Sequence, residues 1–371
     1  MKVVFSANTC WYLFNFRLNT LKRFISLGFD VYVVAPADSY TEKLINLGCT
    51  FVCSSLKRKS KNPILEFFTL AEFIYLFQQI RPDLVFTFTP KNNIYCCWAG
   101  VLSRSKVVSN ISGVGGYFRG DGMLSRFISL LYKNSLAFSE IVYFQNGYDL
   151  SSFVERGLVR GDVARLIPGS GVDLQRFKRS RPIETSEKVA FIYSGRFLVK
   201  KGILQYLEAD EILKKRYGDR VEFNLVGFFD DESEARVKSK IEDLGRSGTL
   251  NYLGSSDQVE NELVNVDCIV LPSFYGEGVP KSLLEAAALG LLTITTDLPG
   301  CRDALVPNKT GYLCRPKSVK DLVEKMEQLV KTPHSVRAKM SESAINFVRE
   351  NFDENIVINA YHESAKELLY K

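Results

Sequence analysis

The chain has 371 residues and a formal net charge of +6; that length is more than one ordinary core can organise, so two domains are expected. It shows no repeat of fixed short period, no low-complexity run and no apolar stretch long enough to span a bilayer, which excludes a solenoid, a low-complexity chain and a membrane-spanning helix. Its eight cysteines are scattered, and Cys49/Cys53 and Cys96/Cys97 lack metal-ligand spacing, so most read as buried thiols.

Strand-like and helix-like runs alternate from end to end, the pattern of two parallel sheets covered by helices. In the first half VVFSA, VYVVA, TFVCS, DLVFTFT, KVVSNI and EIVYF are the strand candidates. Lys2 precedes the first, and Asn8, Asn15 and Arg17 interrupt the apolar residues after it, so a strand rather than a signal peptide is expected. The densest basic run, Lys57-Arg58-Lys59-Ser60-Lys61, precedes Asn62-Pro63, an N-cap and first helical position. The helix that follows, Ile64 to Phe77, is aromatic and apolar on more than one face, yet Glu66, Glu72 and its length argue against a membrane span. Either it docks shallowly at a bilayer interface with the basic run on lipid phosphates, or it is buried against the sheet beside a solvated basic loop. Residues 1–180 hold 22 Lys/Arg against 12 Asp/Glu and the remainder 26 against 30, so the basic half suits an anionic ligand or membrane surface. No nucleic-acid recognition motif accompanies that charge. Gly113-Val114-Gly115-Gly116 either lets backbone approach a ligand or makes a tight turn. Asn146 reads as an N-cap. The break between halves falls in GSGVDLQRFKRSRPIETSEK, where charge, Pro182 and polar residues replace apolar runs.

The second half continues with strand candidates VAFIYS, VEFNLVG, TLNYLG, DCIVLP and LLTITT. After the first comes Gly195-Arg196-Phe197-Leu198-Val199-Lys200-Lys201-Gly202, two cations five residues apart in a loop opening onto a helix. Arg forks across two oxygens and Lys adds a point charge, so the pair makes a phosphate clamp. Asp230-Asp231-Glu232 follows a strand and precedes a helix, where N-capping explains it better than a metal. After DCIVL, Pro272 and the Gly276/Gly278 pair break regularity, and Pro280 suits the first turn of a helix. Leu283, Leu284, Ala287 and Ala288 recur at helical spacing to face a sheet, and Gly290 suits the helix end. Glu277 thus sits at the carboxyl end of a strand and Glu285 about two turns into the helix. In open α/β sheets ligands bind in that crevice. Helix-start amides face a diphosphate well, and an ionised Glu accepts hydrogen bonds from a ribose diol.

The segments SGRFLVKKG, LNYLGSSDQVENELVNVDCIVLPS, YGEGVPKSLLEAAALG, TTDLPGCRDAL and NKTGYL, with ANTCWYLFNFR, LGFDVYVVAP, NISGVGGYF and IPGSGVDLQRF in the first half, resemble the retaining GT-B glycosyltransferases. They are most similar to the family 4-like bacterial group that builds O-antigen, capsule and lipid-linked oligosaccharides, and the resemblance covers nearly the whole chain. It implies an α/β fold with two Rossmann-like domains whose parallel sheets face across a cleft. Residues 1–175 would bind the acceptor and 176–352 the nucleotide-sugar, and 353–371 would form a terminal helix returning to the first domain.

Carried onto matching positions, the resemblance implies that Arg196 and Lys201 neutralise the donor diphosphate and that Glu277 lies near the transferred sugar, these three being the catalytic set. It implies Glu285 as the ribose ligand, backbone N–H groups of Gly278 and Val279 on the phosphates, and Gly195 and Ser170 beside the nucleotide-sugar. Asn15, Arg17, Gly115 and Gly116 are candidates for the acceptor side; Arg17 pairs either a lipid diphosphate or an internal carboxylate. No protein nucleophile, metal or cofactor is implied. The leaving diphosphate helps deprotonate the acceptor hydroxyl, while the protein positions the reactants and stabilises charge. Two departures stand out: Asn8-Thr9-Cys10-Trp11 replaces a common glycine pair, and Asn110-Ile111-Ser112-Gly113 replaces a segment that often carries His. His334 and His362 are the only histidines, both in helix-like C-terminal segments, so a histidine contact to the donor sugar is not expected.

The expected protein is therefore a hexosyltransferase, retaining and metal-independent. It moves an N-acetylhexosamine-type sugar from UDP to an undecaprenyl-diphosphate-type, lipid-linked saccharide in surface polysaccharide or glycoprotein glycan synthesis. Its expected place is the cytoplasm, peripheral on the anionic inner leaflet, with no nucleic-acid partner. Two alternatives are an epimerase of the same layout and an inactive scaffold of a polysaccharide-assembly complex. The first would want more acid/base carboxylates and histidines; the second is opposed by the intact set Arg196, Lys201, Glu277 and Glu285.

Overall fold

The apolar runs pair as strands, and every named pair among the described residues is parallel, as expected where helices alternate with strands. The computed structural model describes residues 1–60, 62–113, 122–179, 187–229 and 233–370. Lys61, the Val114-Gly115-Gly116 part of the glycine run, Pro182 and Asp230-Asp231-Glu232 lie outside the described residues. In chain order the elements are β1 (Lys2–Ser6), α1 (Cys10–Ser26), β2 (Asp30–Ala35), α2 (Thr41–Asn46), β3 (Thr50–Cys53), α3 (Pro63–Ile80) and β4 (Leu84–Phe88). Then come α4 (Pro90–Ser103), β5 (Lys106–Ile111), α5 (Met123–Leu136), β6 (Ile141–Phe144), α6 (Gly147–Glu155) and β7 (Ala164–Leu166). The second half has β8 (Val189–Arg196), α7 (Ile203–Tyr217), β9 (Val221–Phe228), α8 (Ala235–Arg246), β10 (Asn251–Tyr252), α9 (Val259–Leu263) and β11 (Cys268–Leu271). It continues with α10 (Lys281–Ala288), β12 (Leu292–Thr296), β13 (Gly311–Cys314), α11 (Val319–Lys331), α12 (His334–Asn351) and α13 (Glu354–Leu369).

The chain divides into two units, Met1–Ser170 with the chain from Asn355 onward, and Gly171–Glu354. The first holds a seven-stranded sheet in the order β3-β2-β1-β4-β5-β6-β7. Side chains alternate across it. Val3, Phe5, Val33, Phe86 and Val108 pack with Leu13 and Phe24 of α1 and with Val357, Tyr361 and Ala365 of α13. Val4, Val34, Val85 and Val107 pack with Phe73 and Phe77 of α3 and Cys96 of α4. Ile111, on the same face of β5 as Val107, packs with Tyr132 and Leu136 of α5. So α1, α2 and α13 cover one face, and α3, α4 and α5 form a layer on the other. Asn62 caps α3 through its side chain, which accepts from the Ile64 N–H at 3.0 Å, and Pro63 is the first helical residue. Asn146 caps α6 in the same way.

The second unit holds a six-stranded sheet, β10-β9-β8-β11-β12-β13. The order reverses between β8 and β11, which are neighbours although α7, β9, α8, β10 and α9 separate them along the chain. Gly171 must be glycine: its φ is +70°, and a Cβ there would meet Glu354 Cα at 2.4 Å. That contact, with Val172 N–H to Phe352 O at 2.9 Å and Glu354 N–H to Val172 O at 3.1 Å, ties the entry of this unit to its exit. The strands β7 and β13 carry no signal among the expected ones. Both are edge strands, of three and four residues.

Candidate active site

The switch point between β8 and β11 is where the second unit assembles its charged residues. Arg196 ends β8, and the turn Val199–Lys201 follows, closed by Gly202 at φ +79°. A Cβ on Gly202 would lie 2.2 Å from the Pro272 carbonyl oxygen, so only glycine lets this turn press against the chain leaving β11. The Phe274 N–H donates to Lys200 O at 2.8 Å, a second staple between the two loops. Lys201 Nζ then reaches Glu277 Oε1 at 3.0 Å, with 17% and 13% of the two side chains exposed. Ser273, fully buried, donates its hydroxyl to the same Glu277 oxygen at 3.0 Å, and its carbonyl accepts from the Thr296 hydroxyl. Glu277 is thus held from two sides while remaining partly open.

Two neighbours report the local field. Burial pushes the Tyr193 hydroxyl well above the usual phenol range, Glu277 pushes it further and Arg196 opposes. Burial pushes the Cys301 thiol up to about 11, again with Glu277 adding and Lys201 opposing. Both groups stay protonated at neutral pH. The Gly300 loop completes the wall: at φ +82°, a Cβ there would sit 1.6 Å from Gly278 O. The backbone N–H groups of Gly278 and Val279 donate to no acceptor among the described residues. Helix α10 starts one residue later than expected, with Pro280 as its N-cap and no side-chain cap on its first turn. Free amides at a helix start attract an anion.

Glu285 is the fifth residue of α10, closer to its start than the expected two turns, because the helix begins at Lys281. Leu283, Leu284, Ala287 and Ala288 are buried beneath it, and Gly290 at φ +81° ends the helix. Burial raises the Glu285 pKa, with Lys281 and Arg176 opposing and Glu260 adding. Lys281 Nζ lies 3.8 Å from Glu285 Oε1. Arg176 forks onto Glu260 at 3.0 and 2.7 Å and donates to Asp257 O at 2.6 Å. The second unit thus brings Arg196, Lys201, Glu277, Gly278, Val279 and Glu285 to one edge of its sheet, with Gly195 at the end of β8. Ser273, Arg176 and Cys301 were not singled out beforehand. Ser273, four residues before Glu277, had only its spacing to give it away. Among the described residues no group of three or more His, Cys, Asp or Glu is placed to hold a metal ion.

The first unit presents a different cluster. Arg17 is 1% exposed, and its guanidinium lies 4.6 Å from the Phe88 ring centroid and 5.5 Å from that of Tyr361. Its Nη1 donates to Phe16 O, and Nε and Nη2 have no hydrogen-bond partner among the described residues. Among the described residues no carboxylate pairs with Arg17; two aromatic faces hold the cation instead. Asn15 turns its amide back onto Trp11 O at 2.9 Å, within its own helix. Where a glycine pair is common, Thr9 caps α1 through the Tyr12 N–H, and Asp38 accepts from the Trp11 N–H at 2.9 Å, so two amides of that helix start are taken. Asn110 is a buried node: Tyr361 donates to its Oδ1 at 2.5 Å and its own amide donates to Thr87 O. Thr89, next to Phe88, holds φ +73°, a costly conformation for a β-branched residue and one that collects at working sites. Ser170 accepts from Gln145 Nε2 at 3.3 Å in this unit, and Gly115 and Gly116 are outside the described residues.

Comparisons with known proteins agree with this layout. Residues 2–146 match the family described as Glycosyl transferase 4-like, and residues 175–347 match Glycosyl transferases group 1. The N,N'-diacetylbacillosaminyl-diphospho-undecaprenol alpha-1,3-N-acetylgalactosaminyltransferase of Campylobacter jejuni is 28% identical over 97% of both chains. A putative glycosyltransferase of Bacillus subtilis, EpsD, is 23% identical over 91% of this chain and 89% of its own. Among solved structures, Anabaena HepE with UDP and glucose superposes with a TM-score of 0.81 at 15% identity, covering 99% of this chain and all of that one. A Rickettsia africae glycosyltransferase gives 0.75 at 19% identity, over 99% and 98% of the two chains. With both units matched by glycosyltransferase families and both sheets of the expected kind, the chain belongs to the GT-B glycosyltransferases.

Proposed function

We propose that this glycosyltransferase is retaining and metal-independent, and that it transfers an N-acetylhexosamine from a UDP donor to a saccharide carried on a lipid diphosphate. The observation that carries the donor side is the Lys201–Glu277 pair at the β8/β11 switch point, beside the open amides of Gly278 and Val279. A diphosphate there takes cationic neutralisation from Arg196 and Lys201 and hydrogen bonds from that backbone. Glu285, ionised, accepts from the ribose diol. Glu277 stays oriented by Lys201 and Ser273 and faces the transferred sugar. The acceptor hydroxyl gives its proton to the leaving diphosphate, so the protein supplies position and charge rather than a nucleophile. The Campylobacter relative supports the acceptor and sugar class, since its name specifies a diphospho-undecaprenol acceptor and an α-linked N-acetylgalactosamine. An α-linkage made from an α-configured donor is retention. On the acceptor side the proposal assigns the first unit, with the unpartnered Arg17 nitrogens as its anion-seeking group.

The test is turnover with a panel of UDP-N-acetylhexosamines and a lipid-diphosphate saccharide, in chelator, with the product anomer read by NMR. An α-linked product without added metal supports the reading. A β-linked product, or turnover only with divalent metal, overturns the respective part.

A further inference from the structure

The α3–α4–α5 layer of the first unit exposes an apolar surface that the glycosyltransferase chemistry does not use. Helix α3 turns Phe73, Phe77 and Ile80 to the core, while Ile64, Phe67, Phe68 and Tyr75 on its other side are 60–68% exposed. The Phe67 and Phe68 rings meet edge to face in solvent, at 6.1 Å. Helix α5 repeats the arrangement: Tyr132 and Leu136 are buried, and Met123, Phe127 and Leu130 are 88%, 57% and 56% exposed. Helix α4 packs against both, so the two stripes lie on one outward side of the sheet. Exposed aromatic and aliphatic side chains grouped in this way mark an interaction site.

The exposed charges on α5 and on the turn before α3 are basic. Lys57, Arg58 and Lys59 are exposed beside the start of α3, and Arg126 and Lys133 are exposed on α5. The basic turn is held in place, because Lys91 Nζ donates to Lys57 O at 2.8 Å, to Ser60 O at 2.7 Å and to Glu66 Oε1 at 2.7 Å. The acids of α3 are both paired: Glu66 binds Lys91 and Tyr95, and Glu72 accepts from the Ser55 N–H and hydroxyl. Helix α5 has no acid at all.

We propose that this α3/α5 surface docks on an anionic bilayer, with the aromatic side chains at headgroup depth and the basic turn on lipid phosphates. Apolar stripes flanked by cations, with both acids of α3 held in pairs, fit that occupant. A second copy of the chain fits badly, since a two-fold contact on this face sets like cations against one another. Among the described residues no helix is long and apolar enough to cross a membrane, so the contact is one of lying on the surface. The inference stands on this surface alone and survives or fails independently of the donor assignment.

Flotation with phosphatidylcholine vesicles, with and without phosphatidylglycerol, tests it on the whole chain. The wild type is expected to float with the anionic vesicles and to be released by high salt. Phe67→Ser/Phe68→Ser/Phe127→Ser and, separately, Lys57→Ser/Arg58→Ser/Lys59→Ser are each expected to lower partitioning about tenfold or more with unchanged melting temperature. Folded wild type that stays at the bottom with anionic vesicles overturns the proposal. So does wild-type flotation of both variants, or light scattering in which the aromatic variant turns a stable dimer into a monomer.

Discussion

Glu285 and Asp210 are both carboxyls raised by burial, and they lead to opposite expectations. Glu285 has Lys281 and Arg176 nearby, so it ionises when a ribose diol repays its desolvation. Glu285→Ala is expected to raise the UDP dissociation constant about tenfold or more by isothermal titration. Wild-type affinity should also fall earlier on acidification than an ordinary glutamate dictates. Arg196→Ala and Lys201→Ala are expected instead to lower turnover by about a hundredfold, and wild-type kinetics in both would sink the assignment. Asp210 on α7 is fully buried and neither oxygen has a hydrogen-bond partner among the described residues, and burial holds its pKa well above the usual carboxylate range. A raised folded-state pKa gives stability that is complete below the unfolded value, about 3.9, and is lost as pH rises through the folded one. Asp210→Asn is therefore expected to stabilise the protein at neutral pH by about 1 kcal/mol or more, a gain that shrinks towards zero as a melting series approaches pH 4.

At the scale of elements, the candidate site depends on how closely two loops approach. The turn after β8 and the chain after β11 meet through backbone, with Gly202 against Pro272 and the Phe274 N–H on Lys200 O. Gly202→Ala brings a Cβ into a carbonyl and keeps a positive φ, so a loss of about 2 kcal/mol or more is expected in chemical denaturation. Because the loops must part, Lys201 is expected to lose Glu277, and turnover should fall more than stability does at the assay temperature. A variant with wild-type turnover would show that the staple is not needed to seat the cation. The loop chemistry itself was legible: Pro272, Gly276, Gly278 and Pro280 punctuate the sequence where the structure turns. Ser273 was not, because a lone serine in a loop has no pattern to distinguish it.

At the scale of the whole molecule, α13 is part of the first unit's core although it is last in the chain. Val357, Tyr361 and Ala365 are buried among β1, β4 and α1 residues, and Tyr361 both faces Arg17 and donates to Asn110. Tyr361→Phe leaves the Asn110 carbonyl without that donor and is expected to cost about 1–2 kcal/mol. Ending the chain after Glu354 removes several buried side chains at about 1.5–3 kcal/mol for each large one. The first unit is then expected to lose its cooperative melting transition while the second, from Gly171, keeps its own. A truncated chain with two intact transitions would show α13 to be dispensable.

Local order was determined by the sequence alone. Periods of two and of 3.6, Asn62-Pro63 at a helix start and glycines at turn ends depend on neighbours along the chain, so they predict eleven of the strands and place Arg196, Lys201, Glu277 and Glu285 at the ends of strands and on the right helix. Only the tertiary structure decided which strands are neighbours. The reversal between β8 and β11 that puts Lys201 on Glu277, the aromatic cradle of Arg17 completed by Tyr361, and the exposure of one apolar side of α3 all depend on residues far apart in sequence. Periodicity states that a face is apolar; what covers it, or leaves it bare, is set by the packing of other elements.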